Sequence, residues 1–194
     1  MKRKLIIVVL AVALVAITAV GTLAYYTDTD SGHNEVTLGN LDIELLEWAD
    51  KPEDGEPVPF PENGLIGITP GVEVTKIAEV KNSGESVVWV RVSVEKAIIR
   101  AAGVEETDPV NTDLITLDFN EEEWELIDGF YYYKAPLAPG ETTEPLFTKV
   151  AFAPDMSNMY QQATAEISVH AYAVQYANNS ETFTEAQGWP AVEP

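Results

Sequence analysis

The chain of 194 residues contains no cysteine, which excludes disulfides, thiolate metal ligands and cysteine nucleophiles. A domain of this size must therefore be stabilised by its core, and 46% hydrophobic residues are enough to build one. Basic residues are also scarce, because 11 Lys and Arg stand against 32 Asp and Glu. Such a charge repels phosphate backbones and anionic bilayers, so we expect neither nucleic acid nor bare membrane as a partner.

Residue patterns for catalysis are missing as well. The only histidines are His33 and His170, and neither belongs to an H-E-x-x-H motif that would bind zinc on one helix face. No G-x-S-x-G nucleophile motif and no glycine-rich phosphate loop occurs. The prediction from the residues is therefore a protein without catalytic residues and without a cofactor.

The N-terminus has the pattern of an export signal. Residues 2–4 are basic, residues 5–23 form an apolar run, and Thr22 and Ala24 occupy the −3 and −1 positions of a cleavage site before Tyr25. We predict a signal peptide over 1–24, with cleavage between Ala24 and Tyr25. The apolar run is long enough to span a bilayer, so an uncleaved anchor is the alternative. Cleavage would leave eight basic residues against 32 acidic ones, a net charge of −24.

The rest of the chain has the period-two pattern of strands. Val88, Val90, Val92 and Val94 alternate with a face that begins apolar and becomes polar, as expected of a strand that leaves the centre of a sheet. A final strand over 163–175 has the same alternation. With Pro and Gly turns about every 8–12 residues and no long helix pattern, we predict an all-β fold, an antiparallel β-sandwich over 36–177.

Several segments carry more local predictions. The proline-rich stretch 51–63 should be an exposed loop, and 101–120 should be irregular or briefly helical. Asp128-Gly129 predicts a hairpin turn between 123–127 and 130–134. The aromatic run 130–133 is expected to pack within that hairpin, with a ligand platform as the alternative. The tail 178–194 should contain at most one helical turn.

A set of short segments, in order along nearly the whole chain, resembles the TasA/camelysin family. These segments are 21–30 (GTLAYYTDTD), 38–45 (LGNLDIEL), 70–71 (PG), 80–84 (VKNSG), 90–92 (VRV), 128–134 (DGFYYYK), 139–143 (PGETT) and 171–175 (AYAVQ). The resemblance implies a protein exported by a Gram-positive bacterium, cleaved by a SipW-type signal peptidase, and folded as a jelly-roll variant of the sandwich.

The same resemblance implies self-association into extracellular fibres. After cleavage, the new N-terminal segment of one subunit would add as a strand to the next, a form of β-augmentation. The candidate donor segment spans 25–35, and its candidate assembly residues are Tyr25, Tyr26, Thr27, Asp28, Thr29 and Asp30. We therefore expect a secreted or cell-surface matrix fibre subunit of the biofilm type, which meets a membrane only through its signal segment.

Two other functions stay open. A monomeric surface binding module would share the fold without polymerising. A camelysin-like secreted metallopeptidase is implied by the classification of some family members, although no zinc motif supports it here. Asp28-x-Asp30-x-Gly32 resembles the opening of a calcium loop, but the pattern does not continue. Asp28 and Asp30 are thus weak calcium candidates, and no metal site is predicted.

Overall fold

The computed structural model describes residues 41–61, 69–100, 109–157, 160 and 163–191, together with the backbone of Thr27–Asp30 and Leu65–Ile66. The described chain consists mainly of strands, which are β1 (Thr27–Asp30), β2 (Ile43–Asp50), β3 (Val58–Pro59), β4 (Leu65–Ile66), β5 (Glu73–Asn82), β6 (Val88–Ile99), β7 (Ile115–Leu117), β8 (Trp124–Ile127), β9 (Phe130–Tyr133), β10 (Phe147–Phe152) and β11 (Thr164–Gln175). Two single 3-10 turns cover Thr112–Leu114 and Phe183–Glu185. In these ranges no helix is long and apolar enough to cross a membrane.

The strands form two antiparallel sheets. In the first, the order is β1-β11-β6-β9-β8, with β4 also paired to β11. The second has the order β3-β2-β5-β10-β7. One hydrophobic cluster contains residues of both sheets, among them Val80 and Phe147 from the second and Val90 and Ala173 from the first. The prediction of an all-β, antiparallel sandwich is confirmed at this level.

The strands β6 and β11 are the two longest of the first sheet and pair with each other. The strands match along their full length, from Val88 opposite Gln175 to Ile99 opposite Thr164. The alternating valines bury themselves as predicted, because Val88, Val90 and Val92 are almost completely inaccessible to solvent. Two long adjacent strands rich in β-branched residues form a pleated surface that packs well. This explains why this pair has the clearest pattern in the sequence.

The hairpin prediction is also confirmed. Asp128 and Gly129 have φ values of 50° and 85°, and they join β8 to β9. Two consecutive left-handed residues make a type I′ turn, whose twist matches the right-handed twist of paired strands. The turn fixes Trp124 opposite Tyr133 and Ile127 opposite Phe130.

Other local predictions need correction. The stretch 109–120 is not only irregular or helical, because β7 follows the 3-10 turn and pairs with β10. The loop 51–61 is exposed as predicted, but it contains β3, which pairs with the end of β2. Both additions are very short strands, whose two or three residues cannot show a period in the sequence.

A further correction concerns the outer face of β6. The sequence suggested that this face turns polar and leaves the core, yet Trp89 and Arg91 are buried. The reason is the C-terminal segment 176–191, which folds back over this face; we call it the strap. Its single 3-10 turn at Phe183–Glu185 agrees with the one helical turn expected of the tail. The predicted signal peptide lies outside the described residues.

Candidate functional site

The candidate assembly segment forms the end strand of the first sheet. Thr27, Asp28, Thr29 and Asp30 lie opposite Val174, Ala173, Tyr172 and Ala171 of β11, in antiparallel register. Ala24, Tyr25 and Tyr26, and with them the predicted cleavage site, lie outside the described residues. Of the six candidate assembly residues, four are thus placed together on one strand edge.

The part of β11 that receives β1 is deeply buried. Ala171, Ala173 and Val174 are fully inaccessible to solvent and Tyr172 is nearly so. On its other side, the same stretch pairs with β6. Removing β1 would therefore expose backbone donors and acceptors along a strand that is otherwise interior, and an edge of that kind is a template for another strand.

The aromatic residues of the β8–β9 hairpin pack on both faces of the first sheet. On the inner face, Tyr133 packs against Trp124 with ring centroids 5.0 Å apart, and Tyr131 stacks on Phe119 at 4.2 Å. Because the ring of Tyr131 is partly buried and the Glu121 carboxylate lies near it, the pKa of Tyr131 is raised. The packing interpretation of the run 130–133 therefore accounts for its inner face.

On the outer face, the hairpin helps to hold the strap around Arg91. The Arg91 guanidinium lies 3.9 Å from the ring centroid of Phe130, 4.6 Å from that of Trp189 and 5.5 Å from that of Tyr172. It also donates hydrogen bonds to the carbonyl of Pro190 and to the hydroxyl of Tyr132. A planar cation between aromatic rings is a favourable arrangement, and it fastens the C-terminal strap to the sheet.

The strap is fastened at a second point over Trp89. The Trp89 indole donates to the carbonyl of Ser180 at 3.0 Å, and its ring packs edge-on against Tyr176 and Phe183. Asn179 closes the strap on itself, because its amide group bonds to Gln187 through both its oxygen and its nitrogen. No sequence period indicates this cover, since it depends on contacts between residues about 90 positions apart.

A cavity opens beside the hairpin at the β8 end of the first sheet. Its volume is about 270 Å³, and it is lined by Phe119, Glu121, Trp124, Leu126, Tyr131 and Lys134. Leu126 is 58% exposed, while the Lys134 ammonium is bound to the carbonyls of Glu121 and Glu122 at 2.7 and 3.0 Å. The ligand-platform alternative therefore corresponds to a real concavity, formed by Tyr131 together with Phe119 and Leu126.

A buried ion pair lies at one end of the sandwich interior. Lys76 of β5 is 2% exposed, its ammonium bonds to the Glu47 carboxylate of β2, and the Phe60 ring lies 4.1 Å from the ammonium. Burial lowers the pKa of Lys76, although Glu47 acts in the opposite direction. Nearby, Lys51 donates to both oxygens of the buried Glu79 at 2.6 and 2.7 Å. The sequence predicts neither pair, because acidic residues are too common in this chain to be informative singly.

The metal candidates show no cluster in the part of the chain that is described. His170 lies in β11 opposite Ser93, and His33 lies outside the described residues. Within those residues no group of three or more His, Cys, Asp or Glu side chains is placed to hold a metal ion. Asp28 and Asp30 are positioned by their backbone in β1.

Comparison of the chain with protein-family models, curated proteins and solved structures finds no match.

Proposed function

We propose that the protein is an exported structural protein, a TasA-like matrix fibre subunit on the surface or in the surroundings of a Gram-positive bacterium. Assembly follows cleavage between Ala24 and Tyr25 by a SipW-type signal peptidase. The cut frees the segment from 25 to about 35, whose strand adds to a neighbouring subunit. The proposal includes a jelly-roll as the finer description of the fold. The protein contacts the membrane only through residues 1–24, before cleavage.

The observation that carries the proposal is the pairing of β1 with β11. A four-residue strand at the end of a sheet contributes few hydrogen bonds, and it can be supplied equally well by a second copy. The receiving edge, Ala171–Val174, is buried while β1 is paired with it. Without β1 its backbone groups would be unpaired, and such an edge tends to bind another strand. Exchange between copies would keep the register of β1 on β11 and close the edge in every subunit except the last.

Two forms of the protein test whether the terminus controls assembly. Protein that begins at Tyr25 should form fibres visible by electron microscopy, whereas protein with extra residues before Tyr25 should remain monomeric. Deletion of residues 25–31 should abolish fibres as well. Fibres from the deleted protein would show that β1 is not the donor strand.

A disulfide that holds β1 in its own subunit distinguishes strand exchange from non-specific association. The natural chain has no cysteine, so Asp28→Cys with Ala173→Cys introduces the only possible disulfide between register partners. Oxidised protein should stay monomeric, and reduction should restore fibre growth. Each single cysteine variant is the matched control. Fibres that grow equally from the oxidised form would contradict strand exchange.

Measurements for the two alternatives are simple. Monodisperse monomers from all forms, across salt and pH, would favour a surface binding module. Stoichiometric zinc together with casein cleavage that EDTA abolishes would favour a metallopeptidase.

A further inference from the structure

The cavity at the β8 end of the first sheet combines an apolar pocket with a free strand edge. Strand β8 ends that sheet in the described part of the chain, so its outer backbone groups have no strand partner there. The cavity beside it holds about 270 Å³, with Phe119, Trp124, Leu126 and Tyr131 as its apolar walls. A polypeptide strand laid along β8 would place one side chain in this cavity.

The charges around the cavity select the kind of side chain. The cavity wall contains the carboxylates of Glu121 and Glu125, and Glu122 follows Glu121 on the exposed surface. None of the three takes part in an ion pair among the described residues. The wall also contains one cation, Lys134, whose ammonium donates to backbone carbonyls. Aromatic walls with two carboxylates against this one bonded ammonium favour an alkylammonium group on an apolar stem.

The chain itself is a poor source of that cation. Residues 25–50, which include the candidate donor segment, contain no Lys and no Arg. Of the eight basic residues after position 24, seven already have interaction partners: Lys51, Lys76, Arg91, Lys96, Arg100, Lys134 and Lys149. A second copy would also bring a large negative charge to an acidic surface, so the complementary occupant is another protein.

We propose that the β8 edge and its cavity dock an extended, lysine-bearing segment of a different protein. The peptide backbone pairs with β8, the lysine stem packs against Leu126 and Tyr131, and its ammonium reaches the Glu121 carboxylate. The site is independent of the fibre proposal, because it lies at the opposite end of the first sheet from β1.

The test uses a soluble seven-residue peptide of alternating serine and threonine with lysine at its centre. Binding to the form with extra residues before Tyr25, which should stay monomeric, is followed by NMR shifts of the backbone amide and indole N–H groups. We expect shifts concentrated on Trp124–Ile127 and on the Trp124 indole. Replacing the central lysine with norleucine, which keeps the four-carbon stem and lacks the ammonium, should weaken binding about fivefold at low salt, because an exposed charge pair contributes up to about 1 kcal/mol.

Two variants of the protein locate the charge. Glu121→Gln should lower the preference for lysine over norleucine, while Glu56→Gln, a change at another exposed acid in the loop before β3, should leave it unchanged. Equal binding of both peptides by the natural protein would overturn the assignment of a cation. Binding of free n-butylammonium as tight as that of the lysine peptide would overturn docking of a strand, and shifts away from β8 would overturn the site.

Discussion

Replacing Glu47 with methionine should destabilise the protein far more than replacing Lys76 with methionine, although both changes break the same ion pair. The difference lies in what each variant leaves behind. The Lys76 side chain is 3% exposed and that of Glu47 is 28% exposed. Without Glu47, the Lys76 ammonium stays buried beside the Phe60 ring with no carboxylate bonded to it among the described residues, whereas without Lys76 the Glu47 carboxylate can still reach water.

The structure bounds the size of the effect. A buried lysine can escape its desolvation penalty by losing its proton, and from a pKa of 10.5 this costs about 5 kcal/mol at pH 7. Breaking a buried pair costs about 3–5 kcal/mol, and the contact with Phe60 offsets about 1 kcal/mol of that. We therefore expect Glu47→Met to cost about 3 kcal/mol. Lys76→Met and the double variant should stay within about 1 kcal/mol of the natural protein.

Urea unfolding at pH 7 to 10 measures these differences. Because burial lowers the pKa of Lys76 below 10.5, the unfolded chain binds more protons between the two pKa values, and stability rises with pH in that window. Loss of Glu47 lowers the folded pKa further, so Glu47→Met should regain stability from a lower pH than the natural protein does. If Lys76→Met lost as much stability as Glu47→Met, or if Glu47→Met showed no gain with pH, the reasoning would be wrong.

Three further changes test separate parts of the structure. Burial tends to raise the pKa of Asp118, but hydrogen bonds from Thr148 and Lys149 outweigh burial and lower the pKa from 3.8. The stability that the ionised Asp118 contributes is therefore present above that pH and is lost as the pH falls. Asp118→Asn should accordingly flatten the loss of stability that urea unfolding shows below about pH 4. Gly129→Ala should cost about 1 kcal/mol in thermal unfolding, because φ there is 85°; no loss would mean that the turn rearranges freely. Trp189→Ala should loosen the C-terminal end of the strap while the Trp89 contacts remain, so limited proteolysis should cut that end first and leave the sheets intact; unchanged protection would show that the contact between Trp189 and Arg91 does not hold it.

The sequence predicts the fold best where one local rule decides the structure. Val88, Val90 and Val92 alternate because one face of β6 is core, and the Asp128-Gly129 turn needs left-handed backbone that few other pairs adopt. The sequence does not predict which strands pair. The alternation of β11 does not indicate that β6 lies on one side and β1 on the other, because strand order depends on contacts distant in sequence.

The candidate site divides in the same way. The export signal is predicted by a local pattern and the donor segment 25–35 by the family resemblance, and the structure adds only that Thr27–Asp30 pairs with β11. Periodicity does not predict the strap, the aromatic rings around Arg91 or the buried pair of Lys76, since each joins a residue on a strand to an element elsewhere in the chain. A single Arg or Lys in an apolar strand is the one signal that could have indicated them, because such a residue must be covered and paired if the strand is central.

The two ends of the first sheet make the fibre and docking proposals separable. At one end, β1 closes the buried edge of β11 by backbone pairing; at the other, β8 presents its edge beside a cavity with carboxylates. Deleting residues 25–31 should abolish polymerisation and leave the lysine peptide bound, whereas Glu121→Gln should leave polymerisation intact and lower the preference for lysine over norleucine. If both functions failed together in either variant, one surface would have to serve both, and β8 would then be the acceptor edge rather than a separate docking site. Because Glu121 is exposed and lies at the β8 end of the first sheet, its loss should not reach β11 through the fold, so a joint failure in that variant would point to one shared surface.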